Sequence, residues 1–159
     1  MTKLWRIAGE TRAYRADDMS GAGAAKFPGR WNDEGQRMLY TATSLALAAL
    51  ETAAYVDAHG LPLNRHVVSI EVPPSVWKAR IQLAVADLPG VWDAVPAGLA
   101  SVRIGAQWLR GGDSAILLVP SVIVPEEYNA LINPEHRDAK KLRAVAGRKF
   151  QYNVVFRAP

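Results

Sequence analysis

Hydrophobic and polar positions along this chain of 159 residues alternate in short runs, and the runs set the expected elements. Leu4 to Ile7 reads as a first strand carrying Trp5 and Arg6. From Ala8 to Gly35 the pattern dissolves into Gly, Ala, Asp and Pro, a long loop of the kind that often carries function. Met38 to Thr41 forms a second strand. It feeds the stretch Thr41 to Val56, whose Leu and Ala residues favour a helix that Thr43 or Ser44 can cap. His66 to Val72 alternates as a strand ending at Pro73-Pro74, and Val76 to Leu83 is a further strand candidate. Pro89 to Pro96 is loop. Ala97 to Leu109 spaces Leu99, Val102, Ile104 and Trp108 as a helix does and stops at Gly111-Gly112. Ala115 to Val119 reads as a buried strand and Val122 to Val124 as a second short apolar stretch. Glu126 to Leu131 reads as a turn of helix, and Asn133 to His136 as a capped turn. Asp138 to Lys149 is a basic tail, followed by Gln151 to Phe156 as a last strand. Strands interleaved with few helices, without repeats or linkers, make the expected architecture a single α+β domain over residues 1–159.

One residue breaks the apolar pattern of the Thr41 to Val56 helix. Glu51 is its only charge, and its neighbours one turn away are Leu47, Ala48, Ala54 and Tyr55. The helix lacks a polar stripe, which predicts burial on most sides. A carboxylate in such a place costs several kcal/mol unless something pairs with it. It is either a Glu at a packing gap, reaching water or a structural Arg, or a functional carboxylate held on a core helix. The second reading is the preferred one.

Composition narrows the chemistry more than the fold. With no cysteine, disulfides and thiolate metal sites are excluded, which suits a reducing cytoplasm. His59, His66 and His136 are scattered without ligand spacing, so no metal site is expected. The start lacks the apolar core of a signal peptide, and the longest apolar run, Ala115 to Pro125, is too short to cross a bilayer. A net charge of +4 favours anionic partners without choosing among nucleotides, nucleic acid or an acidic protein. The Ser20 to Lys26 segment has two of the glycines of a dinucleotide-binding loop. It lacks the third and the βαβ context, so a Rossmann site is rejected. Neither a Walker A sequence nor a nucleophile elbow occurs. Catalysis would therefore rest on positioning and electrostatics.

Four ordered motifs resemble those of the RES domain, a family named for an Arg, a Glu and a Ser. They are Gly-Arg-Trp-Asn (29–32), Leu-Tyr-Thr-Ala-x-Ser-x-Ala-Leu-Ala-x-Leu-Glu (39–51), Val-Pro-Ser (119–121) and Asn-Pro-x-His (133–136). The resemblance spans about Leu4 to Asp138, with Pro28 where family members often have a glycine. It implies the toxin half of a bacterial toxin–antitoxin pair, with a fold similar to the ADP-ribosyltransferase toxins: a split, mostly antiparallel sheet and a few helices. It implies that NAD⁺ is a substrate and that no cofactor is needed, the nicotinamide–ribose bond being broken by hydrolysis or phosphorolysis in the cytoplasm. The expected partner is a cognate Xre-type helix-turn-helix antitoxin that plugs the site, and a homodimer is open to the chain. Neither a membrane nor direct nucleic-acid binding is expected.

The same resemblance assigns roles. Glu51 would stabilise the cationic sugar, since nicotinamide leaves readily and needs no general acid. Arg30 could take the pyrophosphate bidentately, or pair structurally with Glu51. Arg6 is a second anion ligand or a plain strand-end arginine. Tyr40 could stack on the cationic nicotinamide or sit in the core. Ser121 could bond the ribose, bond Glu51, or merely satisfy backbone. Asn133 and His136 read as structural, and Trp31 and Trp108 as core or rim. Transfer of ADP-ribose to a specific protein shares this pocket and differs only in acceptor. A basic nucleic-acid module, resting on Arg137, Lys140, Lys141, Arg143, Arg148 and Lys149, is a third reading that lacks interleaved aromatics.

Overall fold

The computed structural model describes residues 1–56 and 60–156; His59 lies outside them. The chain runs β1 (Thr2–Gly9), α1 (Ala22–Lys26), β2 (Leu39–Ala42), α2 (Leu45–Ala53) and β3 (Arg65–Val72). It continues through α3 (Pro74–Lys78), β4 (Ile81–Gln82), α4 (Leu99–Gly111), β5 (Ile116–Pro120), β6 (Tyr128–Ile132) and β7 (Arg143–Lys149). The strands form one seven-stranded sheet ordered β4-β5-β6-β2-β1-β3-β7. Every pairing is antiparallel except β4 with β5. This is the expected α+β domain with a mostly antiparallel sheet.

The sheet is split at its middle. β1 pairs with β3 along its whole length, from Thr2 with Val72 to Gly9 with Arg65. β2 pairs with β6 from Leu39 to Ala42. Between β1 and β2, however, the ladder contains a single pair, Trp5 with Ala42. The strands part beyond it, so the next residues on each, Arg6 and Ile7 against Thr41 and Tyr40, face an open fork.

Both faces of the sheet are covered, which explains why β5 is buried at every position. Ile116 and Leu118 join Leu4, Val68, Ile70 and Ile132 on one side. Leu117 and Val119 join Trp31, Met38, Trp92, Trp108 and Leu131 on the other. Alternating side chains thus serve two cores, and the strand reads as one continuous apolar run. α4 covers the second core with Trp108 and with the small residues Ser101, Gly105 and Ala106, all buried, whereas Leu99 is 66% exposed. The spacing of Leu99, Val102, Ile104 and Trp108 marked the helix; Trp108 and Ile104 pack into the second core and Leu99 does not. Small residues let the helix axis approach the chain beneath it, and the Trp31 carbonyl lies directly under Gly105.

Other expectations are corrected. α2 is not buried on most sides. Only Leu47 and Ala48 are buried, packed on Trp5, Ala42 and Val124, while Leu50 is 41% exposed. Its composition reports helix propensity rather than burial. Glu126 to Leu131 is not helical, because Tyr128–Ile132 is β6, an interior strand between β5 and β2. The basic tail contains the last strand, β7, an edge strand whose Lys and Arg residues blunt further pairing. Gln151 to Phe156 instead holds a 3-10 turn, Tyr152–Val154, with the Tyr152 hydroxyl donating to Thr52 Oγ1 at 2.8 Å. Val76 to Leu83 divides between α3 and the two-residue β4.

Two glycine substitutions should separate close approach from helix propensity. A Cβ on Gly105 would collide with the Trp31 carbonyl, so Gly105→Ala should destabilise by about 1–3 kcal/mol in urea unfolding. A Cβ on Gly23 of α1 meets nothing within 4 Å, so Gly23→Ala should be neutral or stabilising by up to about 1 kcal/mol.

Candidate active site

The fork opens into a cleft of about 710 Å³. Arg6 and Ile7 of β1 line it from one side, and Tyr40 and Thr41 of β2 from the other. The loop from Phe27 to Trp31, Glu51 of α2, Tyr55 just beyond that helix, and Asn129 of β6 complete the walls.

Glu51 stands on α2, which Ser44 caps by accepting the Leu47 amide at 3.1 Å. Its Oε1 accepts from Ser121 Oγ at 2.6 Å and from Asn129 Nδ2 at 2.9 Å. Hydrogen bonds to a charged group contribute about 1.5–3 kcal/mol each, enough to offset much of the desolvation of a half-buried carboxylate. Among the described residues no cation pairs with it. Arg30 is not its partner: its Nη1 donates to the carbonyls of Trp92 at 3.0 Å and Ala94 at 2.7 Å.

Ser121 follows β5 directly and is completely buried. Besides donating to Glu51 it accepts the amides of Ile123 at 3.1 Å and Val124 at 3.2 Å. Of the roles open to Ser121, the structure shows the hydrogen bond to Glu51 together with the backbone contacts of its own turn. Asn129 was missed in the sequence, where its segment read as helical. Its one signal was an asparagine inside an otherwise apolar run beside the turn that follows Val-Pro-Ser.

The loop bearing Arg30 is tied through the amides of Gly29 and Trp31 and the carbonyl of Arg30. Tyr40 OH accepts the Trp31 amide at 3.0 Å and donates to Asn32 Oδ1 at 2.6 Å. Asn32, fully buried, also accepts the Gly29 amide at 2.8 Å and donates through Nδ2 to Ala24, Asp33 and Gln36 carbonyls. Ser101 of α4 donates to the Arg30 carbonyl at 2.9 Å. Gly29 lies against the phenol ring, where a Cβ would stand 2.7 Å from Cζ. Tyr40 is thus a wall of the cleft whose hydroxyl is spent inside the protein, and burial pushes that hydroxyl above its ordinary pKa. Arg6 donates to the Asp18 carbonyl at 3.4 Å. Burial lowers its guanidinium from the usual arginine value, opposed by the charge of Asp18. The structure therefore brings Glu51, Arg30, Tyr40 and Arg6 to one cleft and places Ser121 behind it. Trp31 stacks on Trp92 in the core, ring centroids 6.2 Å apart, and the Trp108 indole donates to Ser114. Asn133 and His136 shape their own turn, accepting the amides of Glu135 and Asp138.

No group of His, Cys, Asp and Glu among the described residues is arranged to hold a metal ion, and no helix is long and apolar enough to cross a membrane. The basic residues of the nucleic-acid reading lie on edge strand β7 and the 3-10 turn Arg137–Lys141, away from the cleft.

A split antiparallel sheet holding one anchored carboxylate and two arginines in a deep cleft defines a single-domain α+β protein with a built ligand pocket. The chain belongs to the RES domain family, whose model matches residues 3–154. A relative from Sphingobium sp. (strain YBL2), a Prs ADP-ribosylating toxin, is 51% identical over 152 residues, covering 96% of this chain and 94% of its own. Toxin Res of Yersinia enterocolitica serotype O:8 is 37% identical, covering 84% of this chain and 85% of its own. In fold, the chain matches one in the crystal structure of the M. tuberculosis MbcT–MbcA toxin–antitoxin complex. The TM-score is 0.65 at 18% identity, covering 92% of this chain and 84% of that one.

Removing one oxygen tests the loop network. Tyr40→Phe keeps the ring on Gly29 and strands the Trp31 amide, so it should cost about 1–3 kcal/mol in urea unfolding. Hydrogen exchange at the Trp31 amide should accelerate. Because the Tyr40 pKa is raised in the folded state, wild type should lose stability as pH climbs past the unfolded tyrosine value, about 10, and the variant should lose less.

Proposed function

We propose that this chain is the toxin of a toxin–antitoxin pair and that its cleft binds NAD⁺ and breaks the nicotinamide–ribose bond. The observation that carries the reading is Glu51, a carboxylate gripped by Ser121 and Asn129 at the wall of a cleft that also holds Arg6 and Arg30. In this reaction the C1′–N bond electrons leave with nicotinamide, which departs neutral. The ribose becomes oxocarbenium-like, and a fixed carboxylate answers the positive charge as it grows. Arg6 and Arg30 suit the pyrophosphate. Arg30 has one nitrogen committed to main-chain carbonyls, which holds its planar fork in place. The Tyr40 ring suits the nicotinamide end of the cleft, acting through its face because its hydroxyl is engaged.

The acceptor that attacks C1′ is water, phosphate or a protein side chain, each giving up a proton as the new bond forms. The 51% identity to a Prs ADP-ribosylating toxin favours a protein acceptor. Hydrolysis or phosphorolysis is the competing reading, and the cleavage step is common to both. The proposed partner is an Xre-type antitoxin that seats an acidic segment between Arg6 and Arg30, and the proposed site of action is the cytoplasm.

Purified protein and NAD⁺ labelled in the adenosine half should yield nicotinamide and labelled protein when a cell lysate is supplied. Label found only in free ADP-ribose or its 1-phosphate would make the small acceptors the true ones. Glu51→Gln should cut nicotinamide release by roughly 10²-fold or more without loss of stability. No nicotinamide from wild type under any of these conditions would refute the reading. Arg30→Lys keeps the charge but loses the fork, and should raise KM for NAD⁺ more than it lowers kcat.

A further inference from the structure

The two donors that hold Glu51 converge on the same atom. Ser121 Oγ and Asn129 Nδ2 both reach Oε1, and among the described residues no side chain donates to Oε2. The two donors are not equivalent. Ser121 is completely buried and shapes the turn after β5 through the amides of Ile123 and Val124. Asn129 is half-buried, lines the cleft, and makes no other side-chain hydrogen bond among the described residues. Its neighbours across the sheet are Ala42 and Val119, which offer its side chain no polar group. An apolar residue would serve the strand equally well, so the fold alone does not account for an amide here.

We propose that Asn129 is a positioning residue that locks Oε1 of Glu51 and so turns Oε2 toward the bond to be broken. The inference rests on the NAD⁺-cleaving reading of the cleft. One donor fixes a carboxylate at a point and leaves it free to swing about that contact. Two donors, from the end of β5 and from β6, fix its plane. The oxygen left without a partner is the one able to face the cation that develops on the ribose. Reorientation of a reacting group by about an ångström is worth up to roughly 10² in rate.

Kinetics of nicotinamide release and a crystal structure of one variant decide the matter. Asn129→Ala should lower kcat by roughly tenfold to a hundredfold with KM for NAD⁺ changed little, because the residue acts on Glu51 and not on the substrate. Its crystal structure should show the Glu51 carboxylate rotated from its wild-type plane. Asn129→Asp supplies a rescue that depends on protonation. Two carboxyls at contact distance cannot both stay ionised. When protonated, Asp at this position donates to Oε1 as the amide does, so activity should approach wild type at acid pH and fall as pH rises. The other ionisable groups lining the cleft, Arg6, Asp18, Arg30, Tyr40 and Tyr55, are common to both proteins, so the difference in pH profile reports the new carboxyl. Unchanged kcat in Asn129→Ala, a rise in KM alone, or an unmoved Glu51 in the crystal would each overturn the proposal. Wild type that releases no nicotinamide refutes the cleft reading instead, and the orientation of Glu51 in the crystal then still decides the role of Asn129.

Discussion

The pairing of Trp5 with Ala42 is the hinge point of the molecule. A sheet of seven strands would ordinarily close β1 against β2 along their length, satisfying every backbone group and leaving no room for a ligand. Here the ladder holds at one pair and then parts. Each strand can afford this because its other edge is fully paired, β1 to β3 and β2 to β6. The residues of the candidate site gather at or beyond the divergence. Arg6 is the next residue on β1, Tyr40 and Thr41 precede Ala42 on β2, and α2 begins three residues after Ala42 to carry Glu51 over the opening. A small domain thus makes a deep cleft with no second domain to form the other wall.

Rigidity around that opening comes from hydrogen bonds more than from apolar packing. The loop from Gly29 to Asn32 has no regular structure, yet Tyr40, Asn32 and Ser101 satisfy the amides of Gly29 and Trp31 and the carbonyl of Arg30. Gly105 of α4 admits the Trp31 carbonyl where any side chain would expel it. An irregular segment held this way keeps one conformation without the entropy of a mobile loop to repay on binding.

Much of this was legible in the sequence, and the remainder was hidden for definable reasons. Glu51 stood out because one carboxylate in a Leu–Ala helix has no local partner. The strands β1, β2, β3 and β5 announced themselves by alternation or by continuous apolar character, with prolines marking the ends of β3 and β5. Asn129 stayed hidden because β6 begins in a turn rich in Glu and Tyr, whose spacing imitates a helix. β7 was masked because its outer positions carry cations, so an edge strand looked like a solvated tail. The exposure of α2 was misjudged because alanine serves helix propensity and burial alike, and composition cannot separate the two. Beside Trp108, the inner face of α4 is built from Ser101, Gly105 and Ala106, and the burial of such small residues depends on which backbone lies beneath them.

Arg30 holds the chain around Trp92 and Ala94 by their main-chain oxygens alone. A carbonyl is the same at every residue, so this brace is indifferent to which side chains the braced segment displays. Val91 is 62% exposed and Val95 is 83% exposed, the latter at the lip of the cleft. Evolution can therefore rewrite the lip, one surface residue at a time, while the guanidinium beneath it keeps its place. The rim can thus change its surface chemistry while the walls below it stay where the fold puts them.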